Sequence, residues 1–381
     1  MVLQYKVRFF LTLFFISFFA SFAVAYKGFV RVLISEYKKG DSFEIACADG
    51  FVLYDADTKK KMRLSSDHLR IRILQQSFVI HDQRYKTKKI LIKPSSGNVL
   101  VYNGKPYKGS FLLILSDQKT ILINRVPLEE YVIAVVQSES WPGWPVEVNK
   151  AFAIASRTYV ASMIKRARAQ KLLYDVRDDN NHQRYNLYGR PISTHVYEAV
   201  KSTQGLFLFY NNEPIIAMFD ACCGGVIPAH IQDFNFEKAP YLARTYPCTF
   251  CKECRSYAWK VEHDKAELER LFQKANLPAR SVKSMLVTHK DKAGIVLNVE
   301  VKDAQNKQHS IAGKRLYSLL DTVKSFAYGI SMKSGKFVFS GKGLGHHLGM
   351  CQWGARQMVK EGYSYKQILS FYYPGARLKK I

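Results

Sequence analysis

The pentapeptide Trp141-Pro142-Gly143-Trp144-Pro145 constrains the fold of this chain more than any other segment. Before it, Pro127 can occupy the first turn of a helix, where its missing N–H would have no partner, and apolar residues then recur at helical spacing to about Glu139. After it, a second helical pattern runs from Val146 to about Ala169. Because proline and glycine interrupt helices, the sequence predicts two successive helices joined by a rigid turn.

Short β patterns surround the two helices. Residues 26–124 contain alternating runs such as 69–74 and the hairpin signal Asn103-Gly104, and further runs follow at 295–301 and 337–339. The predicted fold is α+β, with mixed strands framing two central helices. We expect a β-rich N-terminal accessory part at 26–124 and a core at 125–377 that includes a cysteine-rich loop at 222–254.

The N-terminus predicts export. A short basic region precedes the apolar run Phe9–Val24, and Ala23-Val24-Ala25 is a small-residue cleavage site, so residues 1–25 form a predicted signal peptide. The alternative is an uncleaved segment that anchors the chain at the membrane. Either way we expect the protein in the periplasm or cell envelope. The 57 Lys and Arg against 31 Asp and Glu then favour an anionic envelope polymer over nucleic acid as partner.

Glu139 is the first candidate for chemistry. It ends an apolar helix, where the negative end of the helix dipole disfavours its ionised form, and Trp141 and Trp144 would reduce its hydration. Both effects are expected to raise the pKa of Glu139, as general-acid cleavage of a glycosidic bond requires. The tryptophans can also serve as platforms for sugar rings. The alternative is a solvated glutamate, with the tryptophans as hydrophobic plugs.

The cysteines are the candidate metal ligands. Cys248-x-x-Cys251-x-x-Cys254 has the spacing of a metal knuckle and is preceded by Cys222-Cys223-Gly224-Gly225. Cys223, Cys248, Cys251 and Cys254 are the predicted ligands of a structural zinc ion, with His230 as a possible replacement for one thiolate. The alternatives are disulfide bonds, if the compartment is oxidising, and free thiols. Cys47 and Cys351 are expected to be lone and buried.

Several segments resemble one family, in order, over roughly residues 28–377. The chain resembles the SpoIID/LytB family, which comprises stage II sporulation protein D and its relatives, at the following segments: Asn103–Gly109, Pro127–Val132 with Ser138-Glu139, Trp144–Ala151 with Ala155–Tyr159, Gly341–Ala355, and Phe371–Gly375. The segment Gly341–Ala355 holds five glycines around His346 and His347. His347 departs from the family pattern, which usually has glycine at that position.

The resemblance implies a lytic transglycosylase that cuts peptide-free peptidoglycan strands, with Glu139 as its catalytic acid and no cofactor required for catalysis. The product would end in 1,6-anhydro-N-acetylmuramic acid. The resemblance also leaves open a non-catalytic glycan-binding protein that enhances a cell-wall amidase.

Substrate-binding residues follow from the same resemblance. His346 and Gln352 are expected in a groove beside Glu139, where the glycines would let the backbone approach a sugar chain. The alternative for His346 is a buried histidine that holds the turn. His347 would narrow the groove or face solvent. Lys150 and Arg157 would orient the acid or bind the muramic carboxylate, or else be structural.

Overall fold

The computed structural model describes residues 28–62, 66–97, 99–116, 119–141, 143–178, 183–185, 191–277 and 281–381. The predicted signal peptide lies outside these residues. In the part of the chain that is described, no helix is both long enough and apolar enough to span a membrane. The chain divides into two compact units. The first comprises the residues up to Phe207 together with Lys379–Ile381, and the second comprises Leu208–Leu378.

Two sheets dominate the first unit. Their strands are β1 (Phe29–Tyr37), β2 (Ser42–Ala46), β3 (Phe51–Asp55), β4 (Lys61–Met62), β5 (His68–Ile73), β6 (Phe78–Ile80), β7 (Gln83–Tyr85), β8 (Lys89–Pro94), β9 (Leu100–Tyr102), β10 (Lys105–Tyr107), β11 (Ser110–Leu115), β12 (Thr120–Pro127) and β13 (Val176–Arg177). One sheet has the order β13-β1-β12-β11-β8-β3-β4 and the other the order β10-β9-β2-β5-β6-β7. Asn103 and Gly104 form the predicted hairpin between β9 and β10, both with positive φ.

Three helices complete the first unit: α1 (Leu128–Glu139), α2 (Val146–Ala169) and α3 (Thr194–Ser202). Pro127 and Pro145 stand immediately before α1 and α2 as their N-caps, where a missing N–H costs no hydrogen bond. Helix α1 buries an almost continuous apolar run from Tyr131 to Val136. The two central helices therefore begin and end where the sequence predicts.

The second unit is assembled from smaller sheets. Its elements are β15 (Glu213–Pro214), β16 (Phe219–Asp220), β17 (Ala258–His263), α4 (Lys265–Lys274), β18 (Val282–Lys290), β19 (Val296–Asp303), β20 (Gln308–Ala312), α5 (Gly313–Leu319), β21 (Tyr328–Lys333), β22 (Lys336–Lys342), β23 (Met350–Cys351), α6 (Gln352–Lys360) and α7 (Tyr365–Tyr372). The sheets are β17-β22-β21, β18-β19-β20 and the short parallel pair β16-β23. A buried cluster that includes Phe272, Val299, Phe337 and Phe339 forms a core of this unit.

The chain passes between the units near β14 (Leu206–Tyr210) and β24 (Arg377–Lys380).

The predicted α+β class is confirmed, since helices and mixed strands occur in both units. The predicted boundary between Asn124 and Arg125 falls inside β12, which pairs with β1 and β11. Helices α1–α3 consequently belong to the same unit as the β-rich segment.

Candidate active site

Glu139 is the last residue of α1 and is half-buried. Its Oε1 accepts a hydrogen bond from the backbone N–H of Arg184 at 3.1 Å. The next residue, Ser140, caps the helix and donates its hydroxyl to Asn149 Oδ1 on α2 at 2.6 Å. The carboxylate is therefore held at the end of a helix whose direction is fixed by α2.

Buried polar contacts link α1, the helix that carries Glu139, to strand β12. Tyr131 on α1 stacks on Tyr185 with ring centroids 5.2 Å apart, and its hydroxyl donates to Gln183 Oε1 at 3.3 Å. The hydroxyl of Tyr185 donates to Asn124 on β12, and the Asn124 amide donates to the Ser110 carbonyl at 3.1 Å. Burial raises the pKa of both tyrosines well above their ordinary value. Sequence reasoning missed this network, because its members are far apart in the chain.

The two tryptophans after Glu139 have different environments. Trp141 is 58% exposed, whereas Trp144 is only 6% exposed and packs against Phe152. The Trp144 carbonyl accepts from Asn149 Nδ2 at 3.3 Å, and it contacts His195 Nδ1 at 3.2 Å. Trp144 is thus a hydrophobic plug between helices, the alternative that the sequence left open, and only Trp141 presents a ring to solvent.

Arg157 is fully buried and is not available to a ligand. Its Nε and Nη2 donate to the two carboxylate oxygens of Glu129 at 2.9 and 2.7 Å, and further N–H groups reach the carbonyls of Val200 and Leu206. Of the three roles considered for Arg157, these contacts support the structural one. Lys150 remains half-buried, with its Nζ 2.7 Å from Glu147 Oε1, one turn earlier on α2.

The segment 341–355 is an irregular, glycine-rich turn in the second unit. The Nδ1 of His346 accepts the Leu348 N–H at 3.1 Å, and the ring also bonds the backbone of Phe219. Burial lowers the pKa of His346 to about 4, which leaves the imidazole neutral at physiological pH. The ring therefore bonds the backbone of two residues, Leu348 and Phe219, as expected of a histidine that holds the turn.

His347 neither narrows an open groove nor faces solvent, and the expectation for this residue was wrong. The side chain is 1% exposed, with φ at +66°. The backbone N–H of His347 donates to Asp220 Oδ2 at 2.7 Å, and the ring Nδ1 of His347 contacts the Cys223 carbonyl at 3.0 Å. Desolvation raises the pKa of Asp220 well above its ordinary range. His347 therefore links the turn, through hydrogen bonds, to the residues in and just after β16.

Glycines make these contacts possible. A Cβ on Gly349 would overlap the Met218 carbonyl, and one on Gly343 would lie 2.6 Å from the Cys222 carbonyl. Both glycines have positive φ. Gln352 follows as the first residue of α6 and is buried. Because this segment and Glu139 belong to different units, a groove that contains both stays a prediction.

The cysteine cluster differs from the predicted one in one member. The sulfur atoms of Cys223, Cys248, Cys251 and Cys351 lie within 4.8 Å of one another, and all four residues are buried. Cys254 is outside this group and accepts the Ser256 N–H at 3.4 Å. The expectation of a lone Cys351 was wrong, because the parallel pairing of β16 with β23 brings it to Cys223. Cys47 is buried, as predicted.

Comparison with known families adds to this geometry. Residues 116–210 match the family model described as Stage II sporulation protein, SpoIID. The matched range contains α1, α2, α3 and Glu139. This segment of the chain is similar to a SpoIID domain. A second model, described as a domain of unknown function (DUF8618), matches residues 249–349.

Three curated proteins are similar to the chain. An uncharacterized protein of Brachyspira hyodysenteriae is 27% identical over 358 residues, which cover 93% of this chain and 94% of the relative. The Stage II sporulation protein D of Bacillus subtilis is 27% identical over 272 residues, with 68% and 76% covered. The amidase enhancer of Bacillus subtilis is 26% identical over 385 residues, with 88% of this chain covered. The alignment spans about half of that relative, 52% of its length. The resemblance inferred from the motifs is confirmed.

Proposed function

We propose that this protein is a peptidoglycan lytic transglycosylase that uses Glu139 as its general acid and base. The observation that carries the proposal is the placement of Glu139 within the SpoIID domain. It is a half-buried carboxylate at a helix end, two residues before a tryptophan that is 58% exposed. A partly desolvated acid beside an exposed aromatic ring suits glycosidic cleavage, because the ring can hold a sugar while the acid reaches its linking oxygen.

The proposed reaction needs one carboxyl group. Glu139 gives its proton to the oxygen that links N-acetylmuramic acid to N-acetylglucosamine, and the bond from C1 to that oxygen breaks. The C6 hydroxyl of the same muramic residue then attacks C1 and gives its proton to the Glu139 carboxylate. One C–O bond forms for the one that breaks, the enzyme regains its proton, and no water is consumed.

The surroundings of Glu139 fit these two steps. The backbone N–H of Arg184 donates to Oε1 at 3.1 Å, which fixes the direction of the carboxyl group. Trp141 would stack on a sugar ring, and Lys150 would attract the muramic lactyl carboxylate. The raised pKa expected of Glu139 stays a prediction. No cofactor takes part in these steps, and the predicted signal peptide would place the reaction in the cell envelope.

The test is a digest of purified glycan strands, with and without stem peptides, analysed by mass spectrometry. The wild-type protein is compared with Glu139→Gln, which keeps the shape of the side chain and removes its acid. Glu198→Gln is the matched control, since Glu198 is exposed on α3 in the same unit. Anhydro-muramic ends should appear with the wild type and the control and be absent with Glu139→Gln. Equal cleavage by all three proteins would refute the assignment.

A second candidate is a non-catalytic glycan-binding protein that enhances a cell-wall amidase. It is favoured by the similarity to the amidase enhancer, which extends over 88% of this chain. In that case neither the wild type nor Glu139→Gln would cleave strands, and both would bind them equally. Addition of either protein to a cell-wall amidase would raise the rate of stem-peptide release.

A further inference from the structure

Four buried cysteines from three separate parts of the second unit converge on one point. Cys223 follows β16, Cys248 and Cys251 lie in the loop before β17, and Cys351 ends β23. Cys223 and Cys351 are 128 residues apart in the sequence, so the fold rather than a local motif brings them together. We propose that Cys223, Cys248, Cys251 and Cys351 bind one structural zinc ion.

The spacing of the sulfur atoms fits a tetrahedral site. A Zn–S bond of about 2.3 Å in a tetrahedron places two ligand sulfurs ~3.8 Å apart. The Sγ atoms of Cys223 and Cys251 are 3.7 Å apart, and all four lie within 4.8 Å of one another. Two disulfide bonds would divide the four sulfurs into two pairs, whereas here each sulfur is close to the other three. The arrangement therefore suits one central ion.

Hydrogen-bond donors already point at the sulfurs. The backbone N–H groups of Cys223 and Gly354 both donate to Cys351 Sγ at 3.3 Å. The Tyr372 hydroxyl is 3.2 Å from Cys248 Sγ. Donors of this kind stabilise thiolate ligands and fix their orientation in metal sites. Neutral thiols in an apolar interior would gain less from them, so the donors favour a charged, metal-bound cluster.

The chain packs closely against Cys248. A Cβ on Gly354 would lie 2.8 Å from Cys248 Sγ and would overlap the Tyr372 hydroxyl. The buried Arg244 guanidinium lies 5.8 Å from the Tyr372 ring centroid, which places a positive charge one side chain away from Cys248. Four thiolates and one divalent ion leave a net negative charge, and a nearby guanidinium offsets it. Glycine and arginine at these positions both suit a bound cluster.

The site would be structural, because four protein ligands leave no open position for a substrate. The ion would link β16 to the first turn of α6, where Cys351 is the N-cap that accepts the Gly354 N–H. Asp220 on β16 also holds the N–H of His347. Zinc would therefore fix the start of α6 and one end of the turn at 341–355.

The proposal makes Cys351 the fourth zinc ligand, whereas the knuckle spacing alone predicts Cys254 in that role. Zinc content of the purified protein is measured by elemental analysis for the wild type, Cys351→Ser, Cys254→Ser and Cys47→Ser. Cys47 is the matched control, because it is equally buried but belongs to the first unit. We expect about one zinc ion per chain in the wild type, in Cys254→Ser and in Cys47→Ser, and far less than one in Cys351→Ser.

A second measurement protects the test against a variant that fails to fold. The X-ray absorption spectrum of the wild-type protein should show four sulfur neighbours at about 2.3 Å from zinc. Anomalous scattering from crystals at the zinc edge then identifies the four ligands. Wild-type protein that is free of zinc and has its cysteines paired as disulfides, or zinc that is lost in Cys254→Ser and kept in Cys351→Ser, would overturn the proposal.

Discussion

Arg157 on α2 and Glu129 on α1 form a bidentate ion pair with N–O distances of 2.9 and 2.7 Å, and Arg157 has no exposed surface. This ion pair, in which the Glu129 side chain is 28% exposed, joins the two central helices near the start of α1. It also connects both helices to the carbonyls at the end of α3 and the start of β14. Of the roles that the sequence offered for Arg157, these contacts support the structural one, in the frame that holds the two central helices together.

Removal of this arginine should destabilise the protein. Arg157→Ala leaves the Glu129 carboxylate and two carbonyls without their partner, and we expect a loss of about 3 kcal/mol in the free energy of unfolding. Arg168→Ala, an exposed position on the same helix, should change it by less than about 0.5 kcal/mol. Urea denaturation followed by circular dichroism measures both. Equal stability of the two variants would show that the ion pair contributes nothing.

Substitution of Trp144 should lower the stability of the fold, whereas substitution of Trp141 should weaken glycan binding. Trp144→Ala removes a buried ring and should cost about 3 to 5 kcal/mol of unfolding free energy. Trp141→Ala removes an exposed ring and should leave stability unchanged within about 0.5 kcal/mol. The same Trp141 variant should bind purified glycan strands roughly fivefold more weakly, or by about 1 kcal/mol. Unchanged glycan affinity of Trp141→Ala in a co-sedimentation assay would remove Trp141 from the binding site.

His346 should titrate far below an ordinary histidine. Desolvation lowers its folded pKa to about 4, while the unfolded chain keeps a value near 6.5. The unfolded state therefore takes up a proton first as pH falls. The stability contributed by the neutral ring is fully present above pH ~6.5 and is lost as pH falls towards 4. NMR of the His346 ring measures the midpoint. A midpoint near 6.5 would contradict the half-buried, backbone-bonded ring.

Two glycines of the second unit offer a matched comparison. Gly349 and Gly335 both have positive φ, but only at Gly349 would a Cβ meet other atoms, the Met218 carbonyl among them. Gly335→Ala should cost about 1 kcal/mol through backbone strain alone. Gly349→Ala should cost at least about 2 kcal/mol more, because β16 and β23 would have to separate. Thermal unfolding of the two variants gives the difference, and equal midpoints would argue against close packing at the turn.

Local signals predicted the central helices well. Proline before each helix and the break at 141–145 define their ends, and these signals need only a few neighbouring residues. The same holds for the hairpin at Asn103-Gly104, where two positive φ angles suit asparagine and glycine.

Long-range pairing could not be predicted in the same way. Cys351 joins the cysteine cluster only because β23 pairs with β16, a two-residue parallel bridge with no sequence pattern of its own. Cys254 fits the knuckle spacing, yet its sulfur lies outside the group of four and accepts the Ser256 N–H. The burial of Arg157 is likewise decided by Glu129, which is 28 residues earlier in the chain. Spacing identifies residue types for a site, but tertiary pairing selects its members.

The most direct test of the proposed mechanism is digestion of purified glycan strands in water enriched in heavy oxygen. If the muramic C6 hydroxyl is the nucleophile and Glu139 moves the protons, the new ends are anhydro-muramic and carry no heavy oxygen, and Glu139→Gln makes none. Reducing ends that carry the label, or anhydro ends that still form with Glu139→Gln, would contradict the account.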